Sequence, residues 1–116
     1  MFMSFELDNY VTRAGEVPIR DWFMSLDAVT AQRIHRSIDR LKVGNFGGCK
    51  PIEHDSIKGV REKTIDFGPG YRVYFGRDGE RIILLLTGGS KKTQKRDIVK
   101  ALQYWKEYKE RKAVKK

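Results

Sequence analysis

Apolar side chains recur first at every second position and then at every third or fourth. Ser4 to Tyr10 alternates, with Phe5 and Leu7 on one face and Glu6 and Asp8 on the other, which predicts an opening strand. Pro18 favours a first helical turn, and Ile19, Trp22, Phe23 and Leu26 then fall at i, i+3, i+4 and i+7, one apolar stripe of a short helix. A second helix is predicted from about Ala28 to Val43, with Ala31, Ile34, Ile38 and Leu41 inward and Arg33, Arg36 and Arg40 in solvent. Gly44, Gly47 and Gly48 end it and open a loop through roughly Lys58. Three strands follow: Val60 to Phe67, Tyr71 to Gly76, and Arg81 to Thr87, the most apolar and expected to be central. Gly68-Pro69-Gly70 and Asp78-Gly79 turn the chain between them. Gly88-Gly89-Ser90 is expected to break the last strand. A final helix starts near Thr93, with Ile98, Ala101, Leu102 and Trp105 on one face and Lys95, Lys100, Lys106 and Lys109 off it.

The order β-α-α-β-β-β-α predicts an α+β fold, with the helical hairpin and the C-terminal helix packed on a mostly antiparallel sheet. A length of 116 residues supports one core, so residues 1–116 read as a single domain with a frayed basic tail from about position 110. Forty per cent hydrophobic residues exclude disorder by composition. The longest uninterrupted aliphatic run is Ile82 to Leu86, too short to span a bilayer, and the start of the chain lacks the pattern of a signal peptide. The single cysteine, Cys49, has no partner for an internal disulfide, which fits a reducing, cytoplasmic setting.

Charge adds the first functional clue. Residues 1–28 carry two bases and five acids, residues 29–90 eleven and seven, and residues 91–116 eleven and three. Nearly all of the net +9 therefore sits at the C-terminal end. A field of that sign attracts polyanions, nucleic acid above all, through counterion release; the plainer reading is a solvated basic tail.

Common catalytic sites are missing from the pattern. No CxxC, HExxH or calcium-loop spacing occurs, so no metal and no cofactor is expected, and Gly68-Pro69-Gly70 lacks the rest of a dinucleotide fingerprint. His54, Asp55 and Ser56 are neighbours in sequence, whereas a hydrolytic triad converges from separate elements. What remains is cationic. Alternation places Arg61 and Lys63 on the face of Ile65 and Phe67, and Arg72 with Tyr74 on the face opposite Tyr71, Val73 and Phe75. Lys91 and Lys92 follow the last strand where a helix begins, and helix N-termini favour anions. With tyrosines available to stack on bases, these residues make a phosphate-binding cleft. In the alternative, Arg72 pairs with Glu62 or Asp66 across the hairpin and the lysines decorate a loop.

The stretch from Val60 to Phe75, VREKTIDFGPGYRVYF, resembles the hairpin of the RelE/ParE toxin superfamily, in particular its HigB-like, phage-associated branch of addiction-module killer proteins. The run from Leu84 to Ile98, LLLTGGSKKTQKRDI, resembles the same branch, as do Trp22, Gly44-Asn45 and Gly47. The resemblance spans about residues 4–106 and implies the RelE-like order of elements already read. It further implies the toxin of a type II toxin–antitoxin system, a ribosome-dependent, metal-independent mRNA endoribonuclease that leaves a 2′,3′-cyclic phosphate. Its partners would be mRNA, the ribosome and a helix-turn-helix antitoxin, with no membrane. A ParE-like gyrase inhibitor, or a non-catalytic nucleic-acid-binding protein, shares the scaffold.

Carried over by position, Arg72 matches the strand arginine that steadies the scissile phosphate, and Lys91 or Lys92 the basic position suited to transition-state charge. Lys63 is a further catalytic candidate; the branch usually has an arginine where Thr64 stands, and Lys63 points to the other face. His54 is the candidate for proton transfer, its ordinary pKa of about 6.5 being suited to it. Arg61, Tyr74, Gln94, Lys95 and Arg96 complete the set as RNA-binding residues.

Overall fold

Ile34, Ile38 and Leu41 are fully buried along one side of a helix, as their spacing requires, and the surface they cover is one face of a five-stranded sheet. The computed structural model describes residues 4–114. Strand β1 (Glu6–Asn9) is followed by α1 (Pro18–Met24) and α2 (Ala28–Lys42), then by β2 (Cys49–Pro51), β3 (Val60–Ile65), β4 (Tyr71–Asp78) and β5 (Ile82–Ser90). A 3₁₀ turn, Lys91–Thr93, leads into α3 (Gln94–Val114). The α2 helix is capped by Asp27, whose carboxylate accepts from the Thr30 amide at 2.8 Å.

The strand order is β1-β5-β4-β3-β2, with β1 parallel to β5 and the other pairs antiparallel. The fold is thus α+β with a mixed sheet. One apolar core lies under α1 and α2, around Ile19, Val73, Phe75, Ile83 and Leu85. A second lies under α3, around Val60, Tyr74, Leu84, Leu86 and Trp105. No helix among the described residues is long and apolar enough to cross a membrane.

Several boundaries differ from expectation. The loop before Lys58 contains a strand, β2, whose three residues pair with Arg61 to Lys63. Leu26 lies beyond the end of α1, and Val43 is the cap of α2 rather than a member. β3 stops at Ile65, and β4 runs on to Asp78. β5 is interior, but the central strand is β4. The basic segment past position 110 is helical through Val114.

Gly88, Gly89 and Ser90 do not break β5; they are its last three residues. Here glycine marks close approach rather than a turn. A Cβ on Gly88 would overlap the Trp22 ring of α1, and one on Gly89 would overlap the Asp97 carboxylate of α3. Successive residues face opposite helices, as strand geometry demands. The β4–β5 register shifts between Tyr74, which faces Thr87, and Phe75, which faces Leu85. This bulge leaves Leu86 unpaired and changes the phase of the strand, so that Leu84 and Leu86 fall under α3 while Gly88 falls under α1.

Candidate phosphate-binding site

Arg72 lies on the sheet face covered by α3. Its cross-strand neighbours are Thr64 on β3 and Gly89 on β5, neither of which crowds a long side chain. Two positions along, Glu62 lies opposite Tyr74 on one side and Lys50 on the other. The Glu62 carboxylate has no solvent exposure and is surrounded by donors. Arg72 Nε donates to Oε1 at 3.2 Å, Gln94 Nε2 donates to Oε2 at 3.0 Å, and Lys50 Nζ stands 3.8 Å from Oε1. A buried carboxylate requires such company, because desolvation without it costs several kcal/mol.

Glu62 uses only the Nε of Arg72. The terminal nitrogens Nη1 and Nη2 make no hydrogen bond among the described residues, and the side chain remains 14% exposed. The guanidinium is therefore tethered at its base and open at its fork. A planar fork of that kind matches two oxygens of one phosphate.

The lysines are brought to the same end of the sheet by backbone contacts. The Lys91 amide donates to the Gly70 carbonyl at 3.0 Å, tying the 3₁₀ turn to the β3–β4 hairpin. Gly70 has φ +88°, which its lack of a side chain permits. Thr93 Oγ1 donates to the buried Asp97 carboxylate, and Arg96 Nε stands 3.6 Å from the other Asp97 oxygen. Lys91, Lys92, Thr93, Gln94, Lys95 and Arg96 line a shallow cavity of about 450 Å³. Arg72, Lys91, Lys92, Gln94, Lys95 and Arg96 thus cluster around the start of α3.

Four predicted residues do not join them. Lys63 is buried on the opposite face, where its ammonium donates to the Gly47 carbonyl and holds the loop after α2. Arg61 shares that face, between Pro51 and Phe75. Tyr74 is on the Arg72 face but wholly enclosed, so it offers no ring to a base. Burial, and then the Glu62 and Asp97 carboxylates, push its pKa well above the usual tyrosine range; no hydrogen bond of ordinary geometry satisfies the hydroxyl. His54 Nδ1 accepts from the Ser56 and Ile57 amides at 3.2 and 3.0 Å, organising its own loop. That loop packs near Val60, at the end of β3 away from Thr64 and Arg72. Conversely, Lys50 and Glu62 belong to the site; only the β2–β3 register reveals Lys50.

No family model matches the chain. Over 81 residues it is 40% identical to an uncharacterized protein of Haemophilus influenzae, a match covering 69% of this chain and 78% of the relative. The chain belongs to that protein's family.

Proposed function

We propose that this protein is the toxin of a type II toxin–antitoxin pair with a RelE-like topology, acting as a ribosome-dependent mRNA endoribonuclease. The observation that carries the proposal is Arg72: its Nε is fixed by a fully buried carboxylate that Gln94 also holds, and its fork has no acceptor among the described residues, at the end of the sheet where the Lys91 amide meets Gly70. In the reaction, the ribose 2′-OH attacks the adjacent phosphorus and the 5′-oxygen leaves, giving a 2′,3′-cyclic phosphate and a 5′-OH. Arg72 holds the non-bridging oxygens as charge builds on them, and the neighbouring lysines add positive potential. Pre-organised cations of this sort are worth several kcal/mol in a water-poor site. The order of elements and the resemblance of the two motif stretches support the same reading.

A second reading draws on a specific observation. The one predicted proton-transfer residue, His54, has Nδ1 committed to its own loop, and the Tyr74 hydroxyl is enclosed. A non-catalytic inhibitor, gyrase-directed or nucleic-acid-binding, needs neither. Induction of the protein with pulse labelling separates the two. Under the ribonuclease reading translation stops first and primer extension finds cuts within messages. DNA synthesis failing first, with messages intact, replaces it with the gyrase reading.

A further inference from the structure

Lys50 and Arg72 come from strands that are not neighbours, yet both address one oxygen of Glu62, at 3.8 and 3.2 Å. Glu62 carries one negative charge, so the pair leaves a positive charge uncompensated. Neither cation has another ion-pair partner among the described residues. The two side chains also differ in freedom. Arg72 is 14% exposed and tethered through its Nε, whereas Lys50 is 65% exposed and meets the same Glu62 oxygen from the solvent side. β2 is an edge strand, so nothing further along the sheet covers Lys50.

We infer that Lys50 and Arg72 form a two-cation clamp for a single backbone phosphate of RNA, with Glu62 as the positioning residue that spaces them. The inference rests on the RNA-directed reading above and specifies the contact that reading uses. Arg72 supplies two parallel donors and Lys50 a mobile point charge, a combination suited to a tetrahedral anion. Gln94 completes the arrangement by occupying the second oxygen of Glu62, which prevents the carboxylate from rotating to meet both cations symmetrically. A phosphate entering between the cations supplies the missing negative charge, and Glu62 keeps its own partners.

The test is binding of a short 2′-O-methyl RNA oligonucleotide, which cannot be cleaved, by the full chain and its variants at fixed salt. Lys50→Ala is expected to weaken binding about tenfold or more and Lys50→Arg to retain most of it. Lys42→Ala, which removes the same charge from α2 on the other side of the sheet, is expected to change binding less than about threefold. Thermal melts of Lys50→Ala should match wild type, since the side chain is exposed. Lys50→Ala binding the oligonucleotide as tightly as wild type, or no more weakly than Lys42→Ala, overturns the clamp. Message cleavage on ribosomes is scored separately: a wild-type protein that binds through Lys50 but cuts nothing keeps the clamp and ends the ribonuclease reading.

Discussion

The two ends of α3 are both rich in charge and both bordered by a cavity, yet they are built on opposite logic. At the C-terminal end, the Asp78 carboxylate accepts from the Tyr108 hydroxyl and the Lys112 ammonium, and the Tyr10 hydroxyl donates to Glu107 at 2.6 Å. Arg111 donates to the Val11 carbonyl at 2.8 Å and lies over the Tyr10 ring. The cavity there, about 460 Å³, has Val11, Ile82 and Leu84 among its lining. Each of these polar groups has found its partner within the protein. At the N-terminal end each oxygen of the acceptor, Glu62, has a donor, but the donors around it have capacity left: the Arg72 fork is open and Lys50 and Lys91 face solvent. The first end fastens the helix to the β4–β5 hairpin. The second leaves the Arg72 fork without an acceptor among the described residues, and open valence rather than charge density is what separates the two ends.

Removing Arg72 tests that contrast most severely. Arg72→Ala should lower message cleavage by about 10²-fold or more. It should also destabilise the fold by about 3 kcal/mol, because it strips the buried Glu62 carboxylate of its closest cation. Adding Glu62→Gln to the same chain should recover much of the stability and none of the cleavage. Denaturant unfolding and primer extension on the single and double variants read the two effects apart. A folded Arg72→Ala protein that cuts messages at the wild-type rate would mean that the two ends do not differ as described.

A smaller effect is expected at the other end. Tyr108→Phe deletes the hydroxyl that Asp78 accepts and should cost about 1 kcal/mol. Cleavage should stay within about twofold of wild type, since hydrogen bonding there contributes to stability alone. A clear loss of activity in a folded Tyr108→Phe protein would make that end part of the working site.

Smallest at ordinary pH is a titration of the same contacts. Burial and then the hydrogen bond to Asp78 push the Tyr108 pKa up to about 12, and burial followed by Glu107 does the same to Tyr10. An unfolded tyrosine ionises near pH 10. Their contribution is therefore complete below about pH 10 and lost as the pH rises towards 12, where the unfolded chain releases its protons first. Unfolding curves collected from pH 9 to 12 should show this decline, with a shallower slope in Tyr108→Phe.

How much of this was legible in the sequence depends on whether the cause is local. The stripe of Ile34, Ile38 and Leu41 located α2 because a helix repeats its burial pattern along its own length. Alternation likewise put Arg72 and Tyr74 on one face. It could not tell that α3 encloses Tyr74 while Arg72 stays partly open, because that depends on where α3, which begins only at Gln94, comes down on the sheet. β2 was hidden by being three residues long, with Pro51 at its end. Without β2, no pattern in the sequence places Lys50 beside Glu62. Gly88-Gly89 is ambiguous in sequence because glycine serves both turns and close packing, and only the positions of Trp22 and Asp97 decide which.

The parallel pairing of β1 with β5 has a consequence for the order in which the molecule can be made. Glu6 lies beside Ile82, so β1 waits for β5, the last of the five described strands in chain order, before the sheet can close. Contacts so distant in sequence form late, after the chain has met the entropic cost of closing the loop between them. Until then the core that buries Phe5 lacks Ile83 and Leu85. The same delay governs the cluster at Glu62, whose partner Gln94 is the first residue of the final helix. A chain that has only reached Arg72 therefore still lacks the Gln94 side chain, which donates to the second oxygen of the Glu62 carboxylate that tethers the guanidinium.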